Sequence, residues 1–220
     1  MVKTIACILM LIDHVGLFFF PEIKVLRIVG RFAMPFFAYG IARGYFCAKE
    51  RGTMKNYLFN IGVFSVISQI PYQLLFQDGW NGNIGFTWLF SLLLLDTIER
   101  NREKIVYKIG ISIFLLICAT ITRADYGVYG VLMPLPMYFC LVKQKAPYRA
   151  FTWLTALWGI YIIQKNGSGM AFIQIVSIFS IPMILFLKKY DTRYRLSKQF
   201  YYWFYPVHLL GIALVKMIQN

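Results

Sequence analysis

Apolar runs recur from one end of this 220-residue chain to the other and leave no stretch for a soluble domain. Runs approaching the roughly 20 residues that cross a hydrocarbon core read as membrane-spanning helices. Hydrophobic residues make up 59% of the chain, and its mean hydropathy is +0.61. The expected fold is all-α: a polytopic integral membrane helical bundle, one domain over residues 1–220. Nine spans are expected, at 4–20, 32–47, 57–76, 84–98, 105–122, 127–142, 150–164, 169–187 and 200–218. The second, with Arg31 at its edge and Arg43 within it, is the weakest in hydropathy. The first lacks the n-region and the small-residue site of a cleavable signal and is expected to be retained.

The net charge of +14 is explained by topology rather than by nucleic acid. Lys and Arg concentrate in cytoplasmic loops, and here they alternate. The 48–56 connection holds Lys49, Arg51 and Lys55. The 99–108 connection holds Arg100, Arg102, Lys104 and Lys108. Lys143, Lys145 and Arg149 follow, then Lys188, Lys189, Arg193, Arg195 and Lys198. The intervening connections hold only Lys24 and Arg27, then none, then Arg123, then Lys165. The alternation requires nine crossings and sets the N-terminus in the cytoplasm. No internal repeat is evident, unlike many transporters.

The four cysteines, Cys7, Cys47, Cys118 and Cys140, are widely separated in apolar surroundings and read as small hydrophobes, with no metal site. Trp80, Trp88, Trp153 and Trp203 fall near span ends and read as interface anchors. Gly40 and Gly44 form a small-residue packing pattern.

The chemistry is concentrated in a few polar groups. Asp13 and His14 interrupt an apolar run, and ionisable residues inside a membrane are functional candidates by default. His14 lies about 15 Å into the first span, where a neutral imidazole can serve as a general base. Neighbours on a helix point about 100° apart, so Asp13 is expected to pair with an arginine rather than to orient His14. Arg31 and Arg43 are the candidates; twelve residues separate them, about 18 Å along a helix, so both cannot meet Asp13. Arg31 falls on the outer side. Arg43 falls nearer the cytoplasm, where an anionic cofactor arrives. Tyr72 and Asn83 flank the outer 77–83 connection, and Asp125 and Tyr126 lie in the next outer one. Asp125 with Arg123 also reads as a loop ion pair. Pro206 is expected in the first turns of the last span, with His208 about a third of the way in.

Six segments resemble the TraX family: Leu11 to Pro21, Leu26 to Ala38, Ile67 to Tyr72, Asn83 to Thr87, Ala124 to Gly130, and Phe204 to His208. They occur in order over nearly the whole chain. The family's founding member is associated with acetylation of the N-terminus of conjugative pilin. The family is also similar to larger transmembrane acyltransferases, in which a histidine of an early helix is thought to be catalytic. Carried over, that residue is His14.

The resemblance implies an acetyltransferase of the bacterial cytoplasmic membrane. Its donor would be cytoplasmic acetyl-CoA and its acceptor an amine or hydroxyl outside, on a peptide, pilin or glycan. His14 would be the base and Asp13 its brace. Arg31, Tyr72, Asn83, Asp125 and Tyr126 would face substrate or oxyanion, and Arg43 and His208 the cofactor. Two other classes stay open on the residues alone: a proton-coupled or small-molecule transporter, and a non-catalytic membrane assembly protein.

Overall fold

The structure, a computed structural model, describes residues 1–77, 79–100, 104–144, 146, 148–190 and 196–219. Arg102, Lys145, Arg193 and Arg195 of the charge pattern lie outside the described residues.

The first helices are α1 (Val2–Phe18), α2 (Lys24–Gly30), α3 (Ala33–Glu50), α4 (Met54–Leu75), α5 (Ile84–Glu99) and α6 (Ile105–Ile121). Then α7 (Gly127–Leu132) and α8 (Pro134–Pro136) lead into a π-helical turn, Met137–Val142. Next come α9 (Arg149–Gln164) and α10 (Gly169–Ile173), a 3-10 stretch (Gln174–Phe179), α11 (Ser180–Leu187) and α12 (Lys198–Gln219). Among the described residues there is no strand.

Each span expected from the sequence coincides with a helix or a run of helical segments. The short α2 was not expected; it lies in what read as a connection. Three stretches are long and apolar enough to cross a membrane by length and composition: Lys24–Glu50, Met54–Leu75 and Ala171–Tyr190. Ile105–Ile121 and Gly127–Val142 are shorter apolar helices.

Local sequence explains the irregular parts. Pro134 and Pro136 lack the backbone N–H that an α-helix needs. Just beyond them the ladder widens, and the Lys143 amide donates to the Tyr138 carbonyl at 2.9 Å, a five-residue step. Pro206 is interior to α12, which begins eight residues earlier at Lys198. It stands in the third turn of that helix, past the N-terminal positions where a proline costs least, and the Tyr202 carbonyl, four residues back, loses its helical donor.

Helix α3 runs through the middle of the bundle, packing against α1, α4, α5, α11 and the π turn. Phe36, Ala38, Ala42 and Tyr45 on it are fully buried. Gly44 lets Tyr57 of α4 approach so closely that a Cβ would strike its hydroxyl, which fits the small-residue reading. Trp80, Trp153 and Trp203 are exposed, but Trp88 is buried in the core, against the anchor expectation. Helix α6 buries only Leu115 and Ala119, packs Ile111 and Leu116 half-buried beside them, and exposes Ile105, Val106, Ile109, Ile113, Phe114, Ile117 and Ile121.

The two ends of the bundle are tied differently. At one end Glu99 accepts from Lys49 (3.1 Å), Lys143 (2.9 Å) and the Tyr138 hydroxyl (3.0 Å). At the other, the Gly82 amide donates to the Thr122 carbonyl (3.0 Å) and the Asp125 amide to the Gly82 carbonyl (2.8 Å). Three of the connections expected inside thus meet at the Glu99 end of α5, and two of those expected outside meet at its other end.

Candidate functional site

The site begins where α1 meets α2. Gly30 has no side chain, and a Cβ there would collide with the Asp13 carboxylate. Gly16 is also close: a Cβ there would lie 2.6 Å from the Leu26 Cβ. These contacts bring α2 against α1 and lay two arginines on Asp13. Arg31 Nη2 reaches both carboxylate oxygens at 2.6 Å. Arg27 Nη1 lies 2.8 Å from Oδ2 and donates to the Asp13 carbonyl at 2.8 Å. Arg27 and Arg31 are four residues apart and so share one helix face. The expected Asp–Arg pairing is present, with Arg31 the partner. Arg27 was missed because its segment read as a loop.

His14 takes a different partner. Its Nδ1 lies 2.8 Å from His208 Nε2, and the two rings are 10° from coplanar. His208 Nδ1 lies 2.8 Å from the Phe204 carbonyl oxygen, one turn back on α12. That is not the carbonyl freed by Pro206. The Phe204 ring lies 5.0 Å from that of His208 and 21° from parallel, and Tyr205 sits 5.6 Å away. His208, read from sequence as a cofactor contact, therefore stands beside the candidate base. Helix α12 is laid along α1 by two further contacts: Thr4 Oγ1 with the Tyr201 hydroxyl at 2.9 Å, and Lys216 over the Phe18 ring at 5.3 Å.

Above the histidines the rings of Phe76 and Tyr72 form a wall. Phe76 is edge-on to His14 at 6.2 Å and 4.7 Å from Tyr72. Beyond Tyr72 opens a pocket of about 350 Å³. Its polar lining includes Tyr72, Arg123, Asp125, Tyr126, Gln164 and Lys165. Three expected substrate residues, Tyr72, Asp125 and Tyr126, meet there. Tyr126 lies within electrostatic reach of both Arg31 and Asp13, linking pocket to cluster. It stands at φ 62°, the left-handed region, immediately before α7. A bulky residue held there costs on the order of 1–3 kcal/mol and is a feature of functional sites. Burial pushes the Asp125 carboxyl up to about 6, against the pull of Lys165. Lys165, not Arg123, is the cation that acts on it most.

Two expected site residues sit elsewhere. Asn83 is fully buried and caps α5: its Oδ1 accepts from the Gly85 amide at 2.7 Å, and its Nδ2 donates to the Ser65 carbonyl and Gln69 Oε1, both at 2.7 Å. It braces the wall of the site and is not open to a substrate, which corrects its assignment. Gln69, also donating to the Asn81 carbonyl at 2.8 Å, was missed. Arg43 lies farther along α3, hydrogen-bonded to Tyr39, and does not join the Asp13 cluster. Tyr161 was also missed; it packs 5.9 Å from Tyr126 and 4.7 Å from Tyr129. Among the described residues, no three His, Cys, Asp or Glu side chains gather as a metal site requires.

The six segments that carried the family resemblance meet in space. Asp13 meets Arg31, His14 meets His208, Gln69 meets Asn83, and the Thr87 hydroxyl donates to the Asp125 carbonyl at 2.6 Å.

Residues 1–216 match the family described as TraX protein. A "probable fimbrial assembly protein FimC, serogroup H1" of Dichelobacter nodosus is 26% identical over 98% of this chain and 94% of its own. "Protein TraX" of Escherichia coli is 25% identical over 60% of this chain and 52% of its own. An uncharacterised protein of Rickettsia prowazekii is 34% identical over 38% of this chain and 31% of its own. No solved structure matches. With the family matched from the first helix into the last, the chain belongs to the TraX family.

Proposed function

We propose that this protein is a membrane-embedded acyltransferase of the bacterial cytoplasmic membrane. It moves an acetyl group from cytoplasmic acetyl-CoA to an amine or hydroxyl on the far side. The observation that carries the reading is the hydrogen-bonded His14–His208 pair, set among apolar helices between a buried Arg–Asp–Arg cluster and a polar pocket. An imidazole held this way can take a proton from an attacking nucleophile. The relatives' names, a fimbrial assembly protein and a TraX protein, support a pilus-related acceptor such as a pilin N-terminus; a glycan hydroxyl obeys the same chemistry.

Nine crossings with a cytoplasmic N-terminus are supported by two features. The pairs Thr4–Tyr201, His14–His208 and Phe18–Lys216 make α1 and α12 parallel, as first and ninth crossings must be. Three of the four basic connections also meet at one end, through Lys49, Glu99 and Lys143, where the positive-inside rule puts the cytoplasm. The donor then approaches from the Lys49–Lys143 end, and the acceptor enters through the pocket.

In the reaction the acceptor's lone pair attacks the thioester carbonyl as His14 removes its proton. The oxyanion forms within reach of the Tyr126 hydroxyl, with Arg31 behind it. The C–S bond then breaks, and the proton on His14 passes to the departing thiolate. Asp13 compensates the two arginines and holds α1 and α2 in register. Apolar walls favour the uncharged amine, which is the nucleophile, over the ammonium form.

The test is turnover of acetyl-CoA by the purified protein with a peptide amine as acceptor, read as free CoA thiol and as acetylated peptide. Wild type is expected to turn over. His14→Ala is expected to bind acetyl-CoA but to lose about 10²- to 10⁴-fold in rate. A folded wild type that neither binds nor consumes acetyl-CoA overturns the proposal.

A further inference from the structure

The Phe204 carbonyl offers only lone pairs, so the His208 Nδ1 that meets it at 2.8 Å must carry a hydrogen. In a neutral imidazole the other nitrogen is then bare. His208 Nε2 is thus an acceptor, and the hydrogen in its 2.8 Å contact belongs to His14 Nδ1. By the same rule His14 Nε2 is bare. Arg27 and Arg31 share the single Asp13 carboxylate on the residue next to His14. An imidazolium at rest would add a third positive charge against one carboxylate, which favours the neutral pair.

We infer that His14 Nε2 is the basic atom of the site, and that His208 is the positioning residue that selects this tautomer and shares the proton it takes up. The chemistry rests on the acyl-transfer reading; the proton assignment does not. The step balances. The acceptor's proton arrives at His14 Nε2 as its nitrogen or oxygen bonds to the acyl carbon. His14 passes its Nδ1 hydrogen across the contact to His208 Nε2. The positive charge moves away from Arg27 and Arg31 towards the Phe204 carbonyl, which already accepts from Nδ1. As the C–S bond breaks, the Nδ1 hydrogen returns, and the Nε2 proton goes to the thiolate. Rings 10° from coplanar keep donor hydrogen and acceptor lone pair aligned throughout. The Phe204 and Tyr205 rings fix His208 from its own helix.

The chain has two histidines, so histidine labelled with ¹³C and ¹⁵N gives two ring systems in a solid-state NMR spectrum of the full chain in lipid bilayers. Both rings are expected to be protonated at Nδ1 alone, with a through-bond coupling from His14 Nδ1 to His208 Nε2. Finding the hydrogen of His14 on Nε2, or on both nitrogens, overturns the inference. Two variants add a rate readout. In His208→Gln the side-chain oxygen can still accept from His14 Nδ1 but cannot hold an extra proton. In His208→Phe it can do neither. CoA release is expected to fall about tenfold in the first and about a hundredfold in the second, with KM for acetyl-CoA unchanged. Equal rates in wild type and both variants overturn the shared-proton role. If no protein releases CoA while the NMR pattern holds, the acyl-transfer reading fails and the proton assignment stands.

Discussion

Arg31 and Asp13 are joined through a single nitrogen, Nη2, that lies 2.6 Å from each carboxylate oxygen, with side chains only 5% and 10% exposed. Arg27 adds a second cation to the same carboxylate. Removing the carboxylate strands both. Asp13→Asn is expected to destabilise the protein by about 3–5 kcal/mol, the usual cost of breaking a buried ion pair from one side. Arg31→Gln removes one stranded charge, so the double variant should be more stable than the two single losses added together, by about 0.5–3 kcal/mol. Thermal unfolding of the four proteins in one detergent checks this. Additive losses would mean that the pair is not coupled.

Glycine 30 is where the cluster meets the backbone. A methyl group there would overlap the Asp13 side chain. Gly30→Ala is expected to cost about 1–3 kcal/mol, as overpacking does, and to lower activity by displacing α1 from α2. Gly62→Ala is the control: nothing lies within 4 Å of a Cβ there. In the interior of α4 it should gain about 0.5–1 kcal/mol by restricting the unfolded chain. Melting temperatures moving in opposite directions meet the prediction. A neutral Gly30→Ala sinks it.

The helical architecture was legible because apolar runs and basic connections repeat along the chain, and neither depends on distant contacts. The Asp13–Arg31 pair was legible for a related reason: a buried carboxylate needs a cation, and few were near in sequence. The His14–His208 contact was not, since it joins residues 194 apart. No local pattern reports a pairing that exists only once α12 has packed along α1. Asn83 misled because a polar residue beside a connection looks the same in sequence whether it caps a helix or faces a ligand. Its burial against Gln69 and Ser65 decided the matter. Arg27 could have been found: its four-residue spacing from Arg31 is a helical signal, but the segment read as a connection between spans.

Asp125 supplies a pH signature. Its carboxyl is raised from 3.8 to about 6, chiefly by burial. A carboxyl raised on folding favours the folded state when protonated. Its contribution is therefore full below about pH 4 and is lost as pH rises through about 6. Asp125→Asn, neutral throughout, should remove this component. Stability measured from pH 4 to 7 should thus fall more steeply in wild type than in the variant. Parallel curves would show that Asp125 titrates as it does in the unfolded chain.

The parallel packing of α1 and α12 makes sidedness testable without any activity. Three helical segments separate Lys104 from Asn166: α6, the run from Gly127 to Val142, and α9. On the proposed topology each of the three is a crossing, which puts these residues on opposite faces of the membrane. Both are exposed. With Cys7, Cys47, Cys118 and Cys140 replaced, Asn166→Cys should react with an impermeant maleimide added to cells whose inner membrane is intact but whose periplasm is open. Lys104→Cys should react only after that membrane is permeabilised. The reverse pattern would put the pocket of Tyr72, Asp125 and Tyr126 in the cytoplasm, exchanging the routes of donor and acceptor. Reaction of both from one side would mean that one of the three segments does not cross, and the alternation of charge would then need another cause.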